Sequence, residues 1–324
     1  MKKEYIFLFA MGLALCGCTA GERGGRTSLR VADWNVQTFF DARPDGTEYA
    51  EFAKSKAWNE EAYTQRLKRL SSVIKKCDAE LLVLEEVENE HVVYDLANFL
   101  AGDWDKHYAY ACFAKEPGSA IGCAVLSRYP LENMSVHALT LRGMSPSVPS
   151  LRPLLRVDVC KKGRRLTLFA NHWKSKAGGD GSLWRQWQEK VLASRIAEAS
   201  LTGAVLACGD FNQDIGAFKR GAFRRGEEGE TIVLNGLWGT DEMEVRSPWY
   251  DAEGTPVEPG SYCFRGEWSR IDGFFSAGTA TITSFAPQTQ GEWCDAQTHE
   301  PRRYQLWNGT GFSDHLPLLC TISF

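Results

Sequence analysis

The chain contains 324 residues, with 37 Lys and Arg against 41 Asp and Glu, and a formal net charge of −4. Its 44% hydrophobic and 24% charged residues are typical of a globular protein and exclude general disorder and fibrous repeats. The slightly negative charge argues against a protein that binds polyanions along their length, because neutralising many phosphates needs concentrated Lys and Arg. It is compatible with an enzyme that binds one phosphate in a small site.

The N-terminus has the pattern of a bacterial export signal. Lys2 and Lys3 precede an apolar run over residues 5–15, which is too short to span a bilayer and is typical of a signal-peptide core. The run ends at Leu15-Cys16-Gly17-Cys18, which resembles a bacterial lipobox, in which the cysteine after the cleavage site carries the lipid. We therefore expect cleavage before Cys18 and lipidation of Cys18. The alternative is an ordinary secretory signal with cleavage nearby.

The rest of the chain shows no repeat or linker that would divide it. We expect a signal peptide over residues 1–17, a flexible tether over 18–28 and one domain over 29–324. The sequence thus predicts an exported protein of the bacterial cell envelope, attached to the membrane through its lipid alone.

Within the domain, short β-type runs alternate with helical ones. The helical pattern is clearest over residues 55–77, where Leu67, Leu70 and Ile74 recur at spacings of three and four. Further helices are expected at 90–101 and 182–201. Strands are expected at 29–37, 80–87, 108–114, 122–127, 136–141, 154–160, 165–173, 204–211, 270–276, 280–285 and 316–324. Many strands with a few helices indicate a sheet-on-sheet core with helices outside.

Polar residues cluster where these strands begin or end. A rigid sheet can hold catalytic side chains at such positions without burying unpaired charge, so the clusters predict one shared polar site. The clusters centre on Asn35, Glu86, His172, Asp210, Asp272 and His315.

Seven segments in order resemble the endonuclease/exonuclease/phosphatase superfamily, which includes pancreatic deoxyribonuclease, abasic-site endonucleases and neutral sphingomyelinases. They are WNVQTFFD at 34–41, LLVLEEVEN at 81–89, LSRYPL at 126–131, NHWKSK at 171–176, GDFN at 209–212, SRID at 269–272 and SDHLP at 313–317. The resemblance implies an α/β fold, a four-layer α/β/β/α sandwich of two mixed β-sheets with outer helices. It also implies metal-assisted hydrolysis of phosphoesters, and the chain has no P-loop or nucleophilic Ser or Cys motif to suggest other chemistry.

The resemblance places a divalent cation, Mg²⁺ or Mn²⁺, at Glu86, with Asn35 and Asp314 as further contacts. Mg²⁺ prefers one or two carboxylates plus waters to a full protein cage. Without a metal, Glu86 would be a solvated carboxylate and Asn35 a turn former. Glu85 and Glu88 are expected to be solvated carboxylates of this ordinary kind.

The resemblance also supplies the catalytic assignments. Asp210 and Asn212 would orient and activate the attacking water, although Gly-Asp-Phe-Asn is also a good Asx turn. His172 would donate to a phosphate oxygen, against the alternative of a structural histidine. His315 would pair with Asp272, which fixes its tautomer and favours its cationic form. The alternative for this pair is a buried ion pair that serves stability.

Four residues in and near NHWKSK are candidates for substrate binding. Asn171 would fix the loop, while Lys174, Lys176 and Arg185 would contact phosphate oxygens. For long cationic side chains on loops, a solvated surface position is an equally good interpretation.

The resulting hypothesis is a divalent-metal-dependent hydrolase of phosphoester bonds, most simply a monomeric nuclease that cleaves DNA or RNA. The alternative is a phosphodiesterase or phosphatase for lipid headgroups or inositol phosphates. A non-catalytic surface-binding module would be expected to have lost part of the polar set, which is complete.

The cysteines do not indicate a metal site. The eight that follow Cys18 lack paired Cys-x-x-Cys or Cys/His spacing, which disfavours zinc. Export permits disulfides, and Cys112–Cys123 and Cys263–Cys294 are the pairs to test first.

Overall fold

The computed structural model describes residues 7–10, 25–139, 149–176, 179, 181–222, 229–237 and 241–324, with the backbone alone for 7–10. Its helices are α1 (Ala50–Ala53), α2 (Glu60–Cys77), α3 (Glu90–Asp103) and α4 (Ser182–Ser200). Its strands are β1 (Phe7–Ala10), β2 (Ser28–Phe39), β3 (Leu81–Val87), β4 (Tyr110–Ala114), β5 (Gly122–Ser127), β6 (Leu131–His137), β7 (Leu154–Lys161), β8 (Arg164–His172), β9 (Ala204–Asp210), β10 (Lys219–Arg220), β11 (Glu230–Asn235), β12 (Glu242–Ser247), β13 (Tyr262–Phe264), β14 (Glu267–Ser269), β15 (Asp272–Gly278), β16 (Thr281–Pro287) and β17 (Leu318–Ser323).

The strands form two large mixed sheets. The first sheet has the order β1-β4-β5-β3-β2-β17-β16, and its one parallel pair is β2 with β3. The second has the order β10-β11-β12-β15-β9-β8-β7-β6, and its one parallel pair is β8 with β9. β13 and β14 form a separate hairpin. The mixed-sheet α/β class predicted from the sequence is confirmed.

Alternation along the central strands builds the layers. On β3, Leu81 and Val83 pack with the second sheet in the main core, whereas Leu82 and Leu84 pack with α2 and α3. The α4 helix contributes Leu192 to the main core on the other side. A strand buried on both faces needs apolar residues at both parities, which explains the continuous run Leu-Leu-Val-Leu.

The helices begin and end where the sequence supplies caps. Asn59 and Asn89 accept hydrogen bonds from Ala62 N and Val92 N at the starts of α2 and α3, and Asp78 ends α2 in the left-handed conformation. The helical run expected from residue 55 therefore begins at Glu60, after the cap. The strand expected at 136–141 lies earlier, at Leu131–His137, and residues 140–141 lie outside the described part of the chain.

The cysteines that the structure describes are all free thiols. The proposed Cys112–Cys123 pairing is wrong because the β4–β5 register sets Cys112 opposite Val125 and Cys123 opposite Ala114. Cys263 and Cys294 are also unpaired, and Cys294 Sγ donates to Thr289 O.

Most of the N-terminal segment lies outside the described residues, including Cys18. Residues 7–10, within the expected signal peptide, pair as β1 with the edge of β4. Among the described residues, no helix is long and apolar enough to cross a membrane. Export, cleavage and lipidation stay predictions.

Candidate active site

Three neighbouring strands of the second sheet end in one row of polar side chains. The register sets His172 of β8 opposite Asp210 of β9, and Asp210 opposite Asp272 of β15. Gly209 makes the close approach of β9 to β8 possible, since a Cβ there would lie 1.9 Å from Asn171 O. Strand register therefore brings together residues that are far apart in the sequence.

Asp210 is the centre of this row and is 2% exposed. Its Oδ1 accepts from Asn212 N at 2.8 Å, and its Oδ2 accepts from Asn212 Nδ2 at 3.0 Å and from Asn35 Nδ2 at 3.1 Å. Burial, followed by the charge of Asp272, raises the pKa of Asp210 to about 7. The carboxyl group can thus exchange a proton near neutral pH.

His315 and Asp272 make the contact that the sequence predicts. His315 Nδ1 lies 2.8 and 3.0 Å from the two carboxylate oxygens of Asp272. Burial acts to lower the pKa of His315, but the charge and hydrogen bond of Asp272 outweigh it, and the pKa rises to about 10. Ser261 Oγ accepts from Asp272 N at 3.1 Å, and Ser313 Oγ accepts from His315 N at 3.1 Å, so both partners are fixed.

The first sheet contributes Asn35 and Glu86 through irregularities in its strands. The β2–β3 register shifts between Asn35 and Phe39, and the β3–β5 register shifts at Glu86, whose φ is +63°. Glu86 Oε2 accepts from Thr38 N at 2.7 Å, and its Oε1 accepts from Asn35 Nδ2 at 3.3 Å. The bulge turns Glu86 out of the ladder toward the cleft.

Arg66 of α2 holds the bulged segment of β2, and sequence reasoning missed it. The side chain is 0% exposed, donates from Nη1 to Thr38 O at 2.9 Å and from Nη2 to Val36 O at 2.7 Å, and also donates to Gln37 O. Gln37 and Thr38 both have positive φ, which costs free energy in non-glycine residues and persists where the surroundings enforce it. A basic residue on a helix face carries no sequence signal for this role.

His172 lies between the site residues of the first sheet and those of the second sheet. Its Nε2 is 3.6 Å from Asp210 Oδ2 and 3.9 Å from Glu86 Oε1. Burial, and then the charges of Arg152 and His315, lower its pKa well below the ordinary value, so the imidazole is neutral. A neutral imidazole keeps one N–H to donate.

The residues of the predicted metal set offer hard oxygen ligands to one cleft. Glu86 and Asp314 both line it, and Asn35 contacts Glu86 directly. Asp314 lies near the ring nitrogen of His315 that does not contact Asp272. Its Oδ1 is 3.9 Å from His315 Nε2, and its Oδ2 is 3.8 Å from Arg303 Nε. This donor chemistry fits a magnesium-like cation.

A tighter group is formed by Asp210, Asp272 and His315, whose ligand atoms lie within 4.8 Å of one another. The Asp272–His315 hydrogen bond occupies some of the atoms that this group could offer to a metal ion. Among the described residues, the predicted metal set is therefore not the most compact donor group at the site.

The structure places Asn171 and Arg185 away from the cleft. Asn171 is buried, donates to Phe169 O and Cys208 O, and accepts from Trp173 Nε1 at 3.1 Å. Arg185 is 7% exposed and donates to Lys174 O. Both side chains bond to the backbone and side chains around the loop, and neither lines the cleft where the phosphate contact expected of Arg185 would lie.

Lys174 is half-buried and its backbone N donates to Gln188 Oε1 at 2.8 Å. It does not line the cleft, whereas Ser175 and Lys176 of the same loop do. A loop motif in sequence does not reveal side-chain direction; of the two candidate lysines, Lys176 lines the cleft and Lys174 does not.

Glu85 and Glu88 are not solvated, and that expectation is wrong. Both are 0% exposed. Burial, followed by the charge of Asp33, raises the pKa of Glu85 well above its ordinary value, and burial raises the pKa of Glu88 to about 8. Asp33 and Glu85 are at positions of β2 and β3 whose side chains face the second sheet. Two carboxyl groups therefore lie between the sheets beneath the site.

The cleft has a volume of about 1110 Å³ and extends well beyond the polar row. Its walls combine cationic and aromatic side chains that sequence reasoning did not single out. These are Tyr49, Phe52, Arg152, Tyr262, Phe264, Arg265, Arg303 and Tyr304. Most lie in loops whose packing sequence patterns do not predict.

The protein is a two-sheet sandwich whose strand ends gather Asp, Asn, His and Glu side chains at one site. A model of the Endonuclease/Exonuclease/phosphatase family matches residues 34–315, and the chain belongs to this family. The protein is thus a metal-dependent phosphoesterase. No curated protein matches the chain by sequence.

Solved structures share the fold at low identity. ANGEL2, a 2′,3′-cyclic phosphatase, has a TM-score of 0.61 and 15% identity, covering 94% of this chain and 99% of its own. TDP2 from D. rerio, complexed with single strand DNA product, has a TM-score of 0.53 and 18% identity, covering 91% and 99%. A family protein from Bacteroides thetaiotaomicron has a TM-score of 0.54 and 15% identity, covering 92% and 98%.

Proposed function

We propose that the protein is a nuclease that hydrolyses phosphodiester bonds of DNA or RNA. The observation that carries this proposal is the wall of the cleft beside His315. The Tyr262 ring packs at a tilt against the His315 ring with centroids 4.8 Å apart, and two residues along the same strand Phe264 is 49% exposed. Residues i and i+2 of a strand share a face about 6.6 Å apart, so an aromatic surface leads away from the phosphate site.

Cations accompany these aromatic residues. The Arg265 guanidinium lies 5.1 Å from the Phe264 ring centroid, and Arg152, Lys176 and Arg303 line the same cleft. Alternating aromatic and cationic side chains are the means by which proteins hold single-stranded nucleic acid, through base stacking and phosphate contacts. A fold relative, TDP2, has been solved with single strand DNA product, which further supports this substrate class.

In the proposed reaction, Asp210 accepts the proton of the attacking water and Asn212 holds that carboxylate in place. A pKa of about 7 suits this role, because the group is half ionised at neutral pH and is still basic enough to take a proton. The water oxygen bonds to phosphorus as the P–O bond to the leaving sugar oxygen breaks, and that oxygen takes a proton from solvent water. His315, kept cationic by Asp272, donates a hydrogen bond to the phosphate oxygen that gains charge, and neutral His172 donates to a second oxygen. The cation, held by Glu86, Asn35 and Asp314, would supply Lewis-acid stabilisation of the phosphate charge.

The test is a substrate panel with the purified protein in Mg²⁺, in Mn²⁺ and in a chelator. The panel contains single-stranded DNA, plasmid DNA, RNA, sphingomyelin vesicles and an inositol polyphosphate. We expect metal-dependent cleavage of nucleic acid, lost in Asp210→Asn. Cleavage of the lipid or the inositol phosphate without cleavage of nucleic acid would replace this proposal by the alternative substrate class.

Phe264→Ala sharpens the choice of substrate. We expect a KM for single-stranded DNA raised by about 5- to 100-fold, with kcat unchanged, because base stacking contributes about 1–3 kcal/mol per base. Tyr94→Ala is the matched control, since Tyr94 is 46% exposed and lies on α3 outside the cleft. Equal KM values for the two variants would remove Phe264 from substrate binding.

We further propose that the protein is exported and anchored through a lipid on Cys18. The support is the sequence pattern of residues 1–18. Metabolic labelling with a fatty acid should mark the wild-type protein and not Cys18→Ala. Release of both proteins in soluble, unlabelled form would contradict the anchor.

A further inference from the structure

A second group of acidic side chains lies in the loop that follows β2. Asp45 and Glu48 of this loop meet Glu88, which follows β3, and each of the three places a carboxylate oxygen within 4.8 Å of the others. Glu88 does not line the catalytic cleft, and neither do the two loop residues. The group is therefore separate from the site described above.

Glu88 carries the observation that points to a ligand. It is 0% exposed, and its Oε2 accepts from Asp41 N at 2.6 Å, but its Oε1 has no hydrogen-bond partner in the described parts of the chain. A buried carboxylate oxygen without a partner is costly, because it has lost its hydration without compensation. Within the described chain this oxygen is therefore free to bind an ion or to accept from a water.

The other two carboxylates are already engaged with the loop backbone. Asp45 Oδ1 accepts from Thr47 N at 2.8 Å and from Thr47 Oγ1 at 2.6 Å. Glu48 accepts from Asp45 N at 2.5 Å and from Gly46 N at 3.0 Å. These bonds fix the carboxylates in position without neutralising their charge.

Positive charge near the group is sparse. Lys115 Nζ lies 3.9 Å from Asp45 Oδ2, a long contact with a carboxylate that is partly exposed. Asp41, 5% exposed, adds a further acidic side chain at the edge of the group. The described surroundings thus leave an excess of negative charge around the buried oxygen of Glu88.

We propose that Asp45, Glu48 and Glu88 bind a calcium ion. Their ligand atoms are all hard carboxylate oxygens, without the His or Cys that zinc or copper would favour. Ca²⁺ accepts six to eight oxygen ligands in irregular geometry, including waters, and Asp45 is exposed enough to leave room for water. Mg²⁺ prefers one or two carboxylates with several waters, whereas this group offers three carboxylates.

The position of this ion gives it a structural consequence. The loop continues directly into Tyr49, Glu51 and Phe52, which form part of the wall of the catalytic cleft. A calcium ion that joins the loop to Glu88 would hold this wall against the first sheet. The inference does not depend on which phosphoester is the substrate.

Terbium luminescence provides the test, because Tb³⁺ occupies oxygen-ligated calcium sites and emits when a nearby indole is excited. Trp58 is such an indole, since its Nε1 donates to Asp41 O at 2.6 Å. In the full chain stripped of metal, we expect Tb³⁺ emission on tryptophan excitation that Ca²⁺ displaces. Glu88→Gln should weaken Tb³⁺ binding at least tenfold.

Two matched variants separate this site from the others. Glu86→Gln, at the catalytic site, and Glu244→Gln, on an exposed position of β12, should both retain the emission. Loss of emission in Glu86→Gln with retention in Glu88→Gln would overturn the proposal, since the ion would then occupy only the catalytic site.

Thermal unfolding gives a second readout. Calcium should raise the Tm of the wild type and of Glu244→Gln, because an ion that binds the folded state stabilises it. It should raise the Tm of Glu88→Gln by less, because that variant keeps only the catalytic cation site. Asp45→Asn, an exposed and isosteric change, takes the place of Glu88→Gln if that variant does not fold. Equal calcium-induced shifts in the wild type and these variants would contradict the site.

Discussion

The two sheets build their halves of the active site in different ways. In the second sheet, regular pairing alone aligns His172, Asp210 and Asp272 across three neighbouring strands. In the first sheet, the functional positions depend on register shifts, with Glu86 in a left-handed backbone conformation. One half is therefore specified by ordinary strand geometry, whereas the other is held in a strained conformation.

The two halves of the site are therefore vulnerable to different substitutions. The row of the second sheet is sensitive to the side chains themselves, because its strands pair in unbroken register at these residues. The bulged half also depends on groups that hold it, above all Arg66 and Thr38 N. Strain that persists at a site has to be supported by the surrounding structure.

Removing the charge of Asp210, at the centre of the row in the second sheet, should lower turnover more than any other change considered. Asp210→Asn should lower kcat by about 10² to 10⁴, the usual contribution of a general base, with little change in KM. Asp158→Asn is the matched control, since Asp158 is a buried carboxylate of β7 that bonds Thr167 and Asn133. Steady-state kinetics on both variants, with circular dichroism for folding, makes the measurement. Comparable kcat values for the two would contradict the role of Asp210.

The second prediction concerns Arg66, which supports the bulged segment of β2. Arg66→Met leaves backbone carbonyls of residues 36–38 without their donor, and each unpaired buried group costs about 1–3 kcal/mol. We expect a lower Tm and a drop of about 10- to 100-fold in kcat/KM, as for other groups that orient ligands.

Arg69→Met is the control for that variant. Arg69 lies on the same helix and also donates to backbone carbonyls, of Gly309 and Gly311, but not to the bulge. It should lose stability and keep its turnover. A parallel loss of turnover in both variants would show that Arg66 acts only through general stability.

The smallest effect concerns pH and the His315–Asp272 pair in metal-free protein. The pKa of His315 is about 10 in the folded state, above the ordinary value of about 6.5, so folding favours the protonated form. Its contribution to stability is fully present below about pH 6.5 and is lost as the pH rises through about 10. Denaturant unfolding in chelator should show the wild-type advantage over Asp272→Asn shrink across this window. An advantage that grows with pH would contradict the charge assignment.

The sequence predicts the regular half of the site better than the bulged half. Motifs such as Gly209-Asp210-Phe211-Asn212 mark strand ends, and the pairing of His315 with Asp272 follows once those ends are placed together. The burial of Glu85 is not predicted, because burying a carboxylate is costly. Its position on β3 nevertheless places its side chain between the sheets. The roles of Arg66 and of the cleft wall depend on tertiary packing, which local patterns do not encode.

The N-terminal predictions and the residues near Lys174 show two further limits. Export signals are recognised by composition, and the pairing of β1 with β4 does not test cleavage or lipidation. The direction of Lys174 depends on how its loop lies against α4, where Gln188 fixes the backbone. A side chain two residues away, Lys176, reaches the cleft instead.

The dependence of turnover on Mg²⁺ concentration in Glu86→Gln and in Asp272→Asn separates the roles of the two sheets. If the first sheet holds the metal and the second conducts proton chemistry, Glu86→Gln should need at least tenfold more Mg²⁺ for half-maximal rate. Asp272→Asn should keep the wild-type Mg²⁺ requirement and lose kcat at every concentration. An unchanged Mg²⁺ requirement in Glu86→Gln, or a raised one in Asp272→Asn, would contradict this division between the two sheets.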